Sequence, residues 1–280
     1  MQKLPGNLVS NEKADLQVVY YDLDKLMNRS KVVLEQYVIS FLLEGHKEVN
    51  FADSTIQIDN SKALIVTQGN CLVTEKDRGS HNYRSILLFF SREKLTELLL
   101  KKGLLSDQTR KFQTACPYFS FEQDDFIKVF IHSLSLHASL DKNLSKKLLE
   151  IKFEEIFTYL ADIYGERFLS FLQFSLKQDR DLSFQNTIEA NKYANLSVEE
   201  LAFLCNMSVS TFKRQFVKCF KDTPGNWLKQ KRLEKARTLL QTGKATPSEI
   251  FSSTGYKNLS HFSTAFKNRF GKSPRESNSD

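Results

Sequence analysis

Two stretches of this chain repeat one another at an offset of 50 residues, and that repeat constrains the C-terminal third more than any other feature. Ser210, Phe212, Phe216, Phe220 and Pro224 align without a gap on Ser260, Phe262, Phe266, Phe270 and Pro274. Phenylalanines spaced by four fall on one side of a helix, because 3.6 residues complete a turn, and so form a single apolar stripe. Ser208 and Asn258 stand where N-caps belong. Each striped helix is preceded by another with its own start signal. Ser197 with Glu200 and Thr246 with Glu249 both read as capping boxes, and Pro247 takes the first helical position, where its missing N–H costs nothing. Only short turns, 205–207 and 254–257, separate the paired helices. The pattern is helix, tight turn, helix, written twice.

The stripes are core. What lies opposite them differs in kind: Ser210, Lys213, Arg214 and Lys218 on the first helix, and Ser260, His261, Thr264 and Lys267 on the second. Charge is divided in the same way. Residues 182–280 hold 16 Lys/Arg against 8 Asp/Glu, a net +8, which leaves −1 for residues 1–181. A basic module joined to a near-neutral one points to a polyanionic partner, although solvated lysines on any surface give the same excess.

The 280 residues are long for one compact domain and suit two. Residues 1–13 lack the apolar core of a signal peptide, and no apolar run approaches the ~18 residues that span a bilayer. The expectation is a soluble cytoplasmic protein with no membrane partner. Cys71, Cys116, Cys205 and Cys219 form no C-x-x-C pair and no zinc-like spacing with histidine; Cys205 and Cys219 fall on apolar helix positions and read as buried thiols. Motifs for phosphate loops, dinucleotide binding, zinc proteases and serine hydrolases are absent, so no enzyme and no cofactor is expected.

Residues 37–43 read as a strand, as do the alternating pairs Val49/Phe51, Ile56/Ile58 and Leu64/Val66 and the run 85–90. Short strands between Gly, Asn, Asp and Ser turns suggest a small antiparallel sandwich or barrel. A helix begins after Ser91 and ends before Gly103, and a polar stretch from Ser106 to Pro117 leads into two longer helices. The second, roughly 143–164, carries Leu149, Phe153, Ile156, Leu160 and Ile163 at coiled-coil-like spacing. That seam fits burial against the same chain or against a second copy. The carboxylates Asp124 and Asp125 stand at a helix start, where the helix dipole accounts for them. Lys177 to Ser183, polar and aperiodic, is the expected linker. It separates a domain of residues 1–180 from a domain of residues 181–280.

Several positions together resemble the AraC/XylS family of transcription regulators. They are Leu201-Ala202, Ser208, the run from Phe212 to Phe216, Pro224, Trp227-Leu228, Arg232, Ala236, Leu239-Leu240, Ile250, Gly255-Tyr256, Phe262, Phe266-Lys267 and the stretch from Phe270 to Pro274. The resemblance covers about residues 184–276. It implies two helix-turn-helix halves joined by a long helix near 224–241, with recognition helices entering successive major-groove segments on one face of DNA. About 18 helical residues span roughly 27 Å, a spacer suited to grooves that recur every ~34 Å.

By that resemblance Ser210, Lys213 and Arg214 take the base-reading places of the first half, and Ser260, His261 and Thr264 those of the second. Arg214 can fork onto guanine. The family often has arginine where Thr264 stands, so the second helix is expected to read more weakly or to be directed more toward methyl groups. Lys218, Lys221, Lys267 and Lys272 are assigned to phosphates, together with Ser208 and Asn258 at the helix starts. Residues 250–253 also lack the alanine usual after the isoleucine, a packing variation.

The first half resembles, more distantly, the cupin-type sensory domains of the same family, which are followed by helices often used for dimer contact; by that resemblance the dimerisation helices lie at about 120–176. The fold expected is therefore α+β with two domains: a cupin-like antiparallel sandwich with helices, then an all-α double helix-turn-helix domain. Enzymatic cupins hold metal on clustered histidines; His46 and His81 form no such cluster, so no metal is expected. The stretch 64–74 is similar to members controlled by a protein partner, while a small barrel with an apolar interior also suits a small effector. Promoter DNA, RNA polymerase, an effector or regulatory protein and a second copy of the chain are the partners implied. Activation is the family's habit. A nucleoid-like binder without sequence preference is the rival class for a basic helical domain.

Overall fold

The computed structural model describes residues 1–6, 8, 14–22, 27–76, 83–104, 116–136, 142–176, 184–242, 246–254, 256 and 258–278. Two compact units divide the chain, Met1–Asp181 and Leu182–Asp280. The linker expected at 177–183, His81, Gly255, Lys257 and most of the polar stretch after Ser106 lie outside the described residues.

The first unit is a sandwich of two five-stranded sheets with helices on one outer face. One sheet runs β1 (Gln2–Leu4), β3 (Ser30–Leu34), β8 (Gly69–Lys76), β5 (His46–Asn50), β6 (Thr55–Ile58); the other runs β10 (Tyr118–Glu122), β7 (Lys62–Val66), β4 (Tyr37–Glu44), β9 (Arg84–Phe90), β2 (Leu16–Asp22). Pairing is antiparallel with one departure from expectation: β1 joins β3 in parallel, Gln2 opposite Val32.

β4 shows how the layers form. Tyr37, Ile39 and Phe41 enter the cluster shared with the helices, and Val38 and Leu42 enter the cluster between the sheets. Both faces are buried, which is why its sequence is continuously apolar instead of alternating. β9 divides likewise, with Ile86, Leu88 and Phe90 toward the helices and Leu87 and Phe89 toward the other sheet.

Helices α1 (Arg92–Lys101), α2 (Asp125–Ser135) and α3 (Lys142–Leu176) cover the second sheet. Ser91 caps α1 by accepting from the Lys94 N–H, and Asp124 caps α2 by accepting from the Ile127 N–H. The Asp124 carboxylate also accepts from the Tyr159 hydroxyl, and this bond, more than burial, pushes that phenol up to about 12. α3 bends at Gly165, whose backbone leaves the helical region (φ 49°, ψ −131°). The apolar seam runs up to that bend. Leu149, Phe153, Ile156 and Leu160 are buried within their own unit, with Phe153 5.2 Å from Phe90 and 4.6 Å from Phe157. Ile163 departs from the seam and is 53% exposed, because the chain turns at Gly165 before that face meets the sheet. Leu144 and Ile151, one heptad apart, are also exposed.

Between the sheets lies a cavity of about 50 Å³ lined by apolar side chains together with Ser40, Lys47 and Glu75. That is room for a few waters at about 10–15 Å³ each. Lys47 and Glu75 stand opposite one another across β5 and β8, and the Lys47 ammonium donates to Ser40 Oγ at 3.2 Å. Burial holds Lys47 below its usual pKa, opposed by the negative charge of Glu75. The Glu75 carboxylate accepts from the Met27 N–H at 3.0 Å and from the Tyr21 hydroxyl at 3.4 Å. The alternation rule alone predicts none of these polar groups inside.

The second unit is all helical: α4 (Phe184–Asn191), α5 (Val198–Leu204), α6 (Val209–Phe220), α7 (Pro224–Gln241), α8 (Pro247–Ser253), α9 (Leu259–Phe270) and a final 3-10 turn, Glu276–Asn278. No helix among the described residues is long and apolar enough to cross a membrane. Nor does any group of three His, Cys, Asp or Glu among them stand close enough to hold a metal ion.

Candidate nucleic-acid interface

Helices α5 and α6 form one helix-turn-helix and α8 and α9 the second, with α7 between them. In the first, Ser197 accepts from the Glu200 N–H at 3.1 Å while the Glu200 carboxylate accepts from the Ser197 N–H at 2.7 Å, closing the capping box. In the second, Glu249 accepts from both the N–H and the hydroxyl of Thr246, at 2.7 and 2.9 Å, and these bonds hold its carboxyl below the usual range. The turn after α5 passes through Asn206 in the left-handed region (φ 54°), a conformation its short polar side chain tolerates.

The phenylalanine stripes pack as their spacing requires. Phe212 and Phe216 of α6, like Phe262 and Phe266 of α9, are fully buried. Phe184 of α4 closes over the first stripe, 5.4 Å from Phe212, and Trp227 of α7 meets Phe220 at 4.8 Å. Around the second stripe gather Leu233, Ala236 and Leu240 of α7 with Ile250 of α8. α7 therefore contributes to both halves: Trp227 and Leu228 near its start, and the 233–240 face near its end. Thr223 caps it and Pro224 begins it. The Arg232 guanidinium donates to the Leu196 carbonyl at 2.8 Å, tying α7 to the segment that precedes α5.

Burying the stripes fixes which side chains face outward. Ser210, Lys213, Arg214 and Lys218 are exposed on α6, and Ser260, His261, Thr264 and Lys267 are exposed on α9. Lys221 and Lys272 follow their helices and are exposed as well. Among the described residues Lys213, Arg214, Lys218 and Lys221 have no acidic partner, so their charge is available to an incoming polyanion. Arg269, at the end of α9, instead lies 3.6 Å from Glu234 of α7.

Ser208 and Asn258 sit at the helix starts. The Ser208 hydroxyl accepts from the Thr211 N–H at 3.2 Å and the Asn258 side-chain oxygen Oδ1 from the His261 N–H at 2.9 Å. The Ser208 hydroxyl is further engaged with those of Ser210 and Thr211. Both side chains thus hold the first turn in place, and Asn258 keeps its amide N–H groups as donors.

On α6 two outward residues were not expected from the sequence. Thr211 and Val217 are exposed on α6, Val217 at 46%. Positions 210, 213, 214 and 217 follow helical spacing opposite the stripe, but Val217 is apolar and by composition alone reads as core. The cysteines also differ from expectation. Cys71, in the sandwich, is the buried one, whereas Cys205 and Cys219 are only half-buried because each lies at the margin of its helix's apolar face. Burial still pushes the Cys205 thiol up to about 12.

Known proteins align with both units. The profile described as the ExsA N-terminal regulatory domain matches residues 37–171, and a helix-turn-helix domain profile matches residues 201–279. The virulence regulon transcriptional activator VirF of Yersinia enterocolitica is 27% identical over 84% of this chain and 86% of its own length. The HTH-type transcriptional regulator ExsA of Pseudomonas aeruginosa is 22% identical over 84% of this chain and 84% of its own. Among solved structures, an apo ToxT variant from Vibrio cholerae aligns over 94% of this chain and 97% of its own, with 15% identity and a TM-score of 0.44. With a regulatory-domain profile on the sandwich and a helix-turn-helix profile on the basic helical unit, the chain belongs to the AraC/XylS family of transcription regulators.

Proposed function

We propose that this protein activates transcription by binding promoter DNA through α6 and α9, under control of a partner of its sandwich domain. The observation that carries the reading is the pair of N-capped helices in repeated units, each burying phenylalanines on one side and offering exposed polar and cationic groups on the other. α6 reads bases through Ser210, Lys213 and Arg214; α9 reads through Ser260, His261 and Thr264, which are smaller or less cationic groups. Lys218, Lys221, Lys267 and Lys272, with the capped helix starts at Ser208 and Asn258, hold phosphates.

Activation rests on the printed role of relatives such as VirF, and RNA polymerase is the partner it entails. The small interior of the sandwich favours a regulatory protein acting on its outside over a sugar-sized molecule held within. Leu144 and Ile151, apolar and outward on α3, are offered as part of a self-association face.

Selection of duplexes from a random pool by the full chain, followed by competition against bulk DNA at fixed salt, tests the DNA-binding reading. A selected site should bind at least about 10³-fold more tightly than bulk DNA. Equal affinity would identify a nucleoid-type binder instead.

A further inference from the structure

α6 ends its outward face on an apolar group. Among the described residues of the second unit, Tyr193 and Val217 are the large apolar side chains left exposed. Tyr193 is covered: the ammonium groups of Lys192 and Lys235 lie 5.1 and 5.3 Å from its ring centre. Val217 has no such cover. It stands three residues after Arg214 and four after Lys213, which places the three side by side on one stripe of the helix. A β-branched residue gains nothing from an exposed helix position, where straight-chain residues are better helix formers. In the repeated unit the same place, 50 residues on, is Lys267.

An apolar branched group among exposed cations, on a helix sized for the major groove, matches one chemical feature of that groove. Among base edges there, thymine alone offers a methyl group. We propose that Val217 is a specificity-determining residue that packs against a thymine 5-methyl, next to the base pair read by Arg214. The inference rests on the assignment of α6 as a recognition helix. It also makes the two helices unequal in a defined way: one apolar reader in α6 and a phosphate-seeking lysine at the corresponding place in α9.

The test uses the full chain and a duplex it selects from a random-sequence pool. Thymines are replaced one at a time by deoxyuridine, which removes only the methyl, and binding is compared for the wild type, Val217→Ala and Arg214→Ala. One thymine beside the base pair relaxed by Arg214→Ala should lose about fourfold in affinity on replacement, the effect of burying one methyl group. That loss should vanish in Val217→Ala, while sensitivity at other thymines is unchanged. Identical replacement profiles for the wild type and Val217→Ala, or a selected site with no thymine beside that base pair, would overturn the assignment while leaving α6 as the reader. Should neither substitution alter the preference at any base pair, α6 itself would not be a reading helix.

Discussion

Lys221 and Gly271 occupy the same place in the two repeated units, and each closes the second helix of its helix-turn-helix in the left-handed region, at φ 57° and 77°. Each donates its N–H back to the carbonyl four residues earlier, Val217 or Lys267. Glycine adopts this conformation without a Cβ penalty; lysine bears one of about 1 kcal/mol. The first unit thus keeps a cation at the end of α6 at a conformational cost that the second unit avoids.

Lys221→Gly should therefore move two observables in opposite directions. Stability of the helical unit should rise by up to about 1 kcal/mol, seen as a higher urea midpoint at unchanged slope. DNA affinity should fall, and the slope of log affinity against log salt should lose about 0.9, one phosphate contact. A stability gain without change in the salt slope would remove Lys221 from the phosphate set.

Phe153 and Ile163 belong to one sequence seam but meet different surroundings. Phe153→Ala, fully buried beside Phe90 and Phe157, should cost about 3–5 kcal/mol. Ile163→Ala, beyond the last buried seam position, should stay within about 0.5 kcal/mol. Chemical denaturation of both variants checks the contrast, and equal losses would mean that the exposed end of the seam is covered in solution.

The contrast shows what the sequence made legible. Local signals carried through: the Phe212–Phe216–Phe220 stripe, the Ser197/Glu200 box and the Pro247 start depend only on residues within two turns of each other. Non-local pairing did not. β10 follows a polar stretch and takes its place only by pairing Phe119 with Ile65, and β1 is three residues that gain meaning beside β3. Lys47 and Glu75 break the apolar alternation of the strands that carry them, so a polar group inside the sandwich was invisible until β5 and β8 were set in register. On α6 the exposed polar groups Ser210, Lys213 and Arg214 were legible because their outward placement follows from the stripe. Val217 was missed because an apolar residue there reads as core until its exposure is known.

The thiols offer a chemical check. Burial pushes both Cys71 and Cys205 from 9.0 up to about 12, so the thiolate fraction at neutral pH falls about a thousandfold. Labelling by a thiol reagent near pH 8, followed residue by residue by mass spectrometry, should leave buried Cys71 unmodified until urea unfolds the chain and should modify half-buried Cys205 more slowly than in the unfolded chain. Because the folded-state values lie above the unfolded ones, stability should also decline as pH rises above about 9, where unfolded thiols ionise and folded ones do not. Rapid labelling of Cys71 in native buffer would contradict the packing of the sandwich.

If α6 reads base sequence as proposed, the loss of Arg214 should change which sequences the protein prefers. Binding of the wild type and Arg214→Ala to a panel of duplexes, each carrying one base-pair change in a selected site, separates reading from mere attraction. Arg214→Ala should lose about 1–3 kcal/mol on the selected site and its preference at one base pair, with discrimination elsewhere intact. A uniform loss across the whole panel would show that Arg214 serves the phosphates and that α6 does not read sequence through it.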